Sequence, residues 1–398
     1  MHSSSSATSP SMTPVERRAS GSLATVFAAR MLGLFLVLPV FALEAARYPG
    51  GDDPALVGLA MGIYGLTQGL LQIPFGMASD RFGRKRVIVI GLLVFAAGSL
   101  LAAAATSLAG LLVGRSLQGA GAVSAAVTAL LADQTRDAVR TKAMALVGAS
   151  IGLMFALSLV VAPLLASVIG LSGLFALTGL LALGCIGVVL WWTPPEPTQH
   201  KGAGRGGLLQ VLRNPALLRL DFGVFVLHAV QLAMWVAVPA MLVQAGLDKA
   251  AHWQVYLPAV LASFVVMGAT LFPLERRGYL RAVFLGAVGL IALVQVGLAF
   301  SAATPGLAAM GGLLFLFFCG FNVLEASQPS LASRVAPPQV RGAALGVYNT
   351  LQSVGFFAGG AVGGWLAKHV GLQGLFGVCA GLMLAWLVVA WPMRAQTT

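Results

Sequence analysis

The chain has 398 residues, 58% of them hydrophobic and only 9% charged, which leaves too little polar surface to keep a folded chain of this size in water. Its solvent is therefore lipid. The formal net charge of +12 raises nucleic acid as a partner, but the cations sit in short connections between apolar runs and no basic soluble domain is left over, so that class is excluded.

A helix that crosses about 30 Å of hydrocarbon needs roughly 20 apolar residues. Runs of that kind occur at 22–43, 55–78, 87–105, 109–131, 142–166, 173–192, 217–244, 253–273, 282–301, 307–330, 342–367 and 372–392, here called spans 1 to 12. The short alternating segments of a membrane barrel are absent, and helices satisfy their own backbone groups in lipid. The expected fold is thus all-α and integral to the membrane, with twelve transmembrane helices. A Ser-rich tail over 1–21 precedes span 1 and shows no distinct cleavage site, so span 1 is read as a retained helix.

Span 1 carries Arg30, a cation about two turns into the apolar run, with Phe35 beyond it. Such a cation is expected to point inward, as a structural pair or a substrate contact. Span 2 carries Tyr64, Gln68 and Gln72, and ends in Gly76-Met-Ala-Ser-Asp80-Arg81-Phe-Gly83-Arg84-Lys85-Arg86. Asp80 there can pair with an arginine or cap a helix N-terminus, worth up to about 1 kcal/mol at an exposed site. Contacts of this kind bias a two-state equilibrium when one state breaks them. Span 4 contains Arg115 and Gln118, three apart and so on one helix face, and Asp133 follows its end. An arginine in hydrocarbon needs a water-filled cavity or an acidic or carbonyl partner.

Span 5 contributes Met154 and Phe155, with Gly148, Gly152 and Pro163. The polar interval 193–216, with Pro194, Pro195, Pro197, Lys201 and Arg205, divides the spans six and six. Span 7 places His228, Gln231 and Trp235 on one face; an imidazole suits proton exchange near neutral pH, with a hydrogen-bonded packing role as the alternative. Span 10 holds Phe321, Asn322 and Glu325, the last being the one carboxylate deep within a predicted span of the second half. A carboxylate in such a setting is a candidate for proton exchange during transport. Its structural alternative is a fixed ion pair with Arg30 or His228. Span 11 carries Tyr348, Asn349 and Gln352, then the pairs Gly359-Gly360 and Gly363-Gly364, which allow close helix packing. Cys185, Cys319 and Cys379 lack metal-ligand spacing and read as packing residues.

Of the 24 Lys and Arg residues, Arg30 and Arg115 lie inside spans, Arg47, Lys249 and Lys368 lie on one side, and the other nineteen lie on the opposite side. The positive-inside rule then sets both termini in the cytoplasm. The halves also echo each other: Leu274-Glu275-Arg276-Arg277-Gly278 is a worn copy of Ser79-Asp80-Arg81-Phe82-Gly83, Arg341-Gly-Ala-Ala resembles Arg140-Thr-Lys-Ala, and Pro39 pairs with Pro239. The expected organisation is a tail (1–21), a six-helix bundle (22–192), a linker (193–216), a second, pseudo-symmetric bundle (217–392) and a tail (393–398). A soluble extra domain is not expected, because only about six residues follow span 12.

The 76–86 stretch matches, position by position, the G-x-x-x-D-R-x-G-R-[RK] loop between helices 2 and 3 of the major facilitator superfamily. Arg115-Ser-Leu-Gln118-Gly119-Ala-Gly121 resembles that family's R-x-x-Q-G-x-G motif. The context of Arg30, the runs Gly62 to Gln68 and Gln72 to Gly76, Ala129 to Asp133, His228 and Phe321 to Ala326 look like the YajR-type transporters of the drug–proton antiporter branch. The resemblance implies that the loop latches the outward-facing state, with Asp80 meeting the helix that begins near Gly342 and Arg84 meeting Asp133. It also links Arg115 to proton movement. Span 5 departs from the antiporter pattern, where the Gly-Pro pair reads Ala162-Pro163.

The reading is a secondary transporter that exports small hydrophobic or amphipathic compounds against protons, by rocking of two bundles about a midplane site. Proton coupling falls to Glu325, His228, Arg115 and Arg30, and gating to Asp80, Arg81, Arg84 and Asp133. The substrate surface is assigned to Phe35, Tyr64, Gln68, Gln118, Met154, Phe155, Gln231, Trp235, Phe321, Asn322, Tyr348 and Gln352, apolar with sparse hydrogen-bonding groups. The energy source is the proton gradient without a cofactor, and the partners are a small solute, protons and lipid. The place is a bacterial-type inner membrane. An importer or uniporter of one metabolite, or a membrane receptor that does not translocate, are the alternatives. An enzyme is not expected, for the sequence holds no nucleophile–base set, no Walker loop and no metal cluster.

Overall fold

The first helix opens on a capping box. The Thr13 hydroxyl accepts from the Glu16 N–H at 3.2 Å, and Glu16 Oε2 accepts from the Thr13 N–H at 2.8 Å, which satisfies two of the donors that a helix start leaves unpaired. The helix therefore begins at Pro14 rather than at residue 22. The computed structural model describes residues 11–196, 207–337 and 340–393. Residues 1–10 of the expected tail, the part of the linker with Lys201 and Arg205, and the tail from Arg394 lie outside the described residues.

Among the described residues nine helices are long and apolar enough to cross a membrane. Two of them bend once: Asp137–Gly187 at Gly170 (φ 64°) and Arg341–Ala390 at Gly371 (φ 70°). Only glycine takes that backbone without strain, so each long helix is two spans joined by one residue. A further crossing, Leu108–Ala120 with Ser124–Asp133, is interrupted at 121–123. The result is twelve spans, as the sequence predicts. They are α1 (Pro14–Phe35 and Leu38–Ala45), α2 (Pro54–Phe82), α3 (Arg84–Ala103), α4 (Leu108–Ala120 and Ser124–Asp133), and α5 and α6 on either side of Gly170. The second half follows with α7 (Pro215–Gln244), α8 (Trp253–Arg276), α9 (Leu280–Ser301), α10 (Leu307–Val335), and α11 and α12 on either side of Gly371. Inside α1 the ring of Pro39 removes the bond to Phe35 and crowds its carbonyl, so the helix breaks at Leu36 and Val37.

Helix neighbours repeat between the halves. α1 packs on the α5–α6 helix as α7 packs on α11–α12, α3 lies on α4 as α9 lies on α10, and α2 touches α4 as α8 touches α10. The two bends coincide with a sequence repeat, Gly170-Leu-Ser-Gly-Leu-Phe175 and Gly371-Leu-Gln-Gly-Leu-Phe376, whose Phe175 and Phe376 are both fully buried. Gly83 and Gly278, at matching ends of α2 and α8, both have positive φ. Two pseudo-symmetric six-helix bundles are the outcome.

The bundles meet along α2 and α11. Gly58, Gly62 and Gly65 of α2 lie against backbone of Gly360, Phe357 and Ser353, an approach that small residues permit in lipid. The paired glycines of α11 resolve into two stripes: Gly360 and Gly364 face α2, whereas Gly359 and Gly363 face Ala229 and Ala233 of α7 in their own bundle. This contact lies towards the end opposite the 76–86 loop, called here the far end. At the loop end, the basic end, a Cβ at Gly342 or Gly346 of α11, or at Gly148 or Gly152 of α5, would meet open space.

Candidate functional site

In the first bundle Arg30 is buried. Its Nη2 donates to Tyr64 Oη at 2.8 Å and to Gln68 Oε1 at 3.4 Å, its Nη1 donates to Ser124 Oγ at 3.0 Å, and its guanidinium lies 5.4 Å from the centre of the Phe95 ring. Arg115 is 1% exposed. It donates to Gln118 Oε1 at 2.8 Å and to the carbonyls of Met61 (3.1 Å) and Ala60 (3.4 Å), over the Tyr64 ring at 5.1 Å. Carbonyls, amide oxygens, hydroxyls and ring faces thus take the place of acids around both cations, and Arg30 is not the partner of Glu325.

That partner is His228. Its Nδ1–H donates to the Val224 carbonyl at 2.9 Å, so Nε2 is the nitrogen facing Glu325 Oε2 at 3.3 Å. Gln352 Nε2 lies 2.8 Å from His228 Nε2 and 3.5 Å from Glu325 Oε1. The Glu325 side chain is 38% exposed, although its Oε2 is tucked away without a hydrogen-bond partner. The cluster joins α7, α10 and α11. Beside it runs a line of rings between the bundles: Phe35 to Phe155 (5.2 Å), Phe155 to Phe321 (6.2 Å) and Phe321 to His228 (6.1 Å), with Phe356 4.9 Å from the imidazole. Met154 is half-buried next to Phe155.

Other residues expected on the substrate surface lie between helices in this state. Gln118 is enclosed and donates to Ser99 Oγ at 2.9 Å, and Asn322 donates to Ser263 Oγ at 2.8 Å. Gln231 and Tyr348 are buried. Trp235 stacks edge-on against Tyr256 at 5.5 Å and, with Phe317 and Phe318, lines an apolar crevice of about 200 Å³ too narrow for water. The cause is general: spacing along a helix defines a face but not whether that face meets a cavity or a neighbour.

At the basic end Arg84 is the hub. Its Nε lies 3.0 Å from Asp133 Oδ2, and its Nη1 contacts Asp80 and donates to Ser79 Oγ at 2.7 Å. Arg81 stacks on the neighbouring Phe82. Asp80 faces Arg84 here and not the start of α11, because the bundles have parted at this end and Gly342 borders open space; the contact that the resemblance implies belongs to the state in which this end is closed. Glu196, which the sequence reading missed, caps α3: its carboxylate accepts from the N–H groups of Arg84 (2.9 Å) and Lys85 (2.6 Å). Gly83 brings no side chain that could do so.

Two ion pairs join the bundles at the far end, and neither was anticipated. Lys249 contacts the buried Glu44, which Arg47 also holds at 3.0 Å, and Lys368 Nζ lies 2.7 Å from Asp53 Oδ2. The hydrogen bond from Lys368 holds the Asp53 carboxyl below the usual carboxylate range. A lowered folded-state value means that the pairing is fully present above the ordinary aspartate range and fades only as pH falls through the lowered value. From about pH 5 to about pH 8 the Asp53 carboxyl therefore stays ionised. Lys249→Ala leaves the buried Glu44 with one exposed partner and should weaken far-end closure by about 1–2 kcal/mol, roughly five- to thirtyfold. Lys368→Ala should do much less, equally at pH 5 and pH 8. Distances between spin labels on the two far-end loops check both.

Two like bundles that close on each other at one end, part at the other and hold ionisable groups between them define a membrane transporter that spans the bilayer many times. The chain belongs to the Major Facilitator Superfamily, whose profile matches residues 23–360; members of that family are in general transporters, not enzymes. It is 44% identical over 389 residues to the inner membrane transport protein YajR of Escherichia coli, covering 96% of this chain and 85% of that one. It is 29% identical over 355 residues to the multidrug resistance protein MdtH of Aeromonas hydrophila, covering 86% of each. The solved nucleoside transporter NupG superposes with a TM-score of 0.76 at 14% identity, over 94% of this chain and 99% of that one, a likeness of fold alone.

Proposed function

We propose that the chain is a proton-coupled exporter of small hydrophobic or amphipathic compounds, set in an inner membrane with its basic end and both termini in the cytoplasm. It needs no cofactor beyond the proton gradient. The observation that carries this reading is the approach of Glu325 Oε2 to His228 Nε2 at 3.3 Å. With Nδ1–H committed to Val224, the Nε2 lone pair faces both the Gln352 amide and Glu325 Oε2, so a proton taken up here is shared between a carboxylate and an imidazole. In the open state Glu325 is partly exposed and its charge is tolerated. Closure of the basic end would strip that water away, and an uncompensated charge in an apolar span is costly. Closure is therefore favoured when the site carries a proton and disfavoured when it has lost one, which ties the conformational cycle to protonation.

The line of rings from Phe35 to Phe321 supports a solute that is largely apolar, and the relatives described as multidrug resistance proteins point the same way. In proteoliposomes, transport driven by a pH gradient should fall about 5–150-fold in Glu325→Gln, the range of a coupling energy of about 1–3 kcal/mol. Binding of a lipophilic cation such as tetraphenylphosphonium should persist. Undiminished pH-driven transport in the variant would sink the assignment.

A further inference from the structure

We propose that Asp221 is a second proton-carrying carboxylate, which takes up and releases a proton between the basic end and the His228–Glu325 pair; the inference rests on the proton-coupled reading above. Asp221 lies in the second turn of α7 and is 5% exposed. Its Oδ2 has no hydrogen-bond partner, and among the described residues no cation pairs with it. A buried carboxylate without a partner is too costly to be a mere packing residue, and such groups call for a functional explanation.

Its position supplies one. Asp221 precedes His228 by seven residues, two helical turns on the same face and about 10 Å along the axis. Tyr348 of α11 has its hydroxyl buried without a partner. Gln328 follows Glu325 by three residues on α10, one turn closer to the basic end. It is fully buried with both amide atoms unpartnered. The interval between the carboxylates is thus flanked by a hydroxyl and an amide whose hydrogen-bonding capacity is unused.

The exchange balances at Asp221 itself: a hydronium ion gives its proton to the carboxylate and leaves as water, and the neutral acid later returns that proton to water at the basic end. Tyr348 and Gln328, unpartnered in this state, carry no step. Among the described residues, the groups that face Asp221 from the elements packed on α7 are few. α11 presents Tyr348, α10 presents Glu325 beyond it, and α12 presents Trp386 against Gly223, which does not titrate. The short helix Gly207–Leu212 has no titratable side chain. Arg219 on α7 and Arg213 before it make no ion pair with Asp221, and Arg341 at the start of α11 is turned to the Ser333 carbonyl.

The test uses the full chain in proteoliposomes with a trapped pH dye and tetraphenylphosphonium as the probe. In Asp221→Asn, probe affinity should stay within about twofold while proton flux slows about tenfold or more and its pH profile shifts; Asp221→Glu should restore both. A stable Asp221→Asn protein with the parent's flux and pH profile would overturn the inference and leave the Glu325 reading standing. Equal loss of flux and thermal stability in Asp221→Asn and Asp221→Glu would also overturn it, by making the residue structural. An unmutated protein without proton flux would remove the proton-coupled reading, and this inference with it. Carbodiimide labelling of the unmutated protein gives a readout that needs no variant. Modification at Asp221 that falls as pH rises from about 5 to about 8 supports the proposal, and an Asp221 inert at every pH overturns it.

Discussion

Gly360→Val should leave the protein folded but unable to close its far end. A Cβ at Gly360 would stand 2.5 Å from the Gly58 carbonyl oxygen and 2.7 Å from the Gly62 nitrogen, all backbone of α2 that cannot rotate aside. Overpacking of this kind costs about 1–3 kcal/mol, occasionally more. Because α2 and α11 belong to different bundles, the cost falls on the closed far end alone. A shift of about 3 kcal/mol changes a two-state population roughly 150-fold. Gly359→Val is the control, for its Cβ would press on Ala229 Cα at 2.8 Å within one bundle, where the contact exists in every state. There the cost falls on folding. Spin labels at Asp52→Cys and Asp248→Cys, both exposed on far-end loops, report the distinction, since the native Cys185, Cys319 and Cys379 are buried. The distance should lengthen in Gly360→Val with little change in thermal midpoint, whereas Gly359→Val should lower the midpoint. Indistinguishable melting behaviour and unchanged distances would reject the division of α11 into two stripes.

The limits of the sequence reading follow from the same geometry. Spans were legible because lipid demands an apolar run of fixed length, and the doubled glycines of α11 announced close packing. Which glycine faces which helix depends on the rotation of α11 against two neighbours, and no run of residues encodes that locally. Glu325 and His228 stood out as ionisable groups in apolar stretches. Asp221 did not, because four residues into a span a carboxylate reads as a helix end, and only the tertiary packing over it shows that it is enclosed. Lys249 with Glu44 and Lys368 with Asp53 join residues 205 and 315 positions apart, a pairing that charge pattern alone cannot assign. The partners of Arg30 were missed, and the carbonyl expected for Arg115 could not be named, for a related reason: Ser124 and the Met61 carbonyl are unremarkable until three helices converge. The six-residue repeat at the two bends was visible in the sequence all along, at a separation of one half-chain.

Arg84→Ala should have the second large effect, on stability and on the resting state together. Arg84 is buried and bridges Asp133, Asp80 and Ser79, so its removal leaves two carboxylates near each other without their shared cation. Breaking a fully buried pair costs about 3–5 kcal/mol. Asp80 and Asp133 are each more than a quarter exposed, which cuts the expected loss to about 2–3 kcal/mol. Asp133→Asn added to Arg84→Ala should recover part of it, since like-charge repulsion is relieved, and a double-mutant cycle over thermal or denaturant unfolding measures the coupling. The conformational consequence has a definite direction. In this structure Arg84 holds Asp80 while the basic end is open, and the family resemblance gives Asp80 a partner at the start of α11 when that end is closed. Freed from Arg84, Asp80 loses its contact in the open state alone, so the variant should populate the closed basic end more than the parent does. Spin labels across the basic end should then report a shorter distance in Arg84→Ala but not in Arg84→Ala with Asp80→Asn. An equal shift in both would mean that Asp80 does not exchange partners, and that Arg84 only fastens α2 to α4.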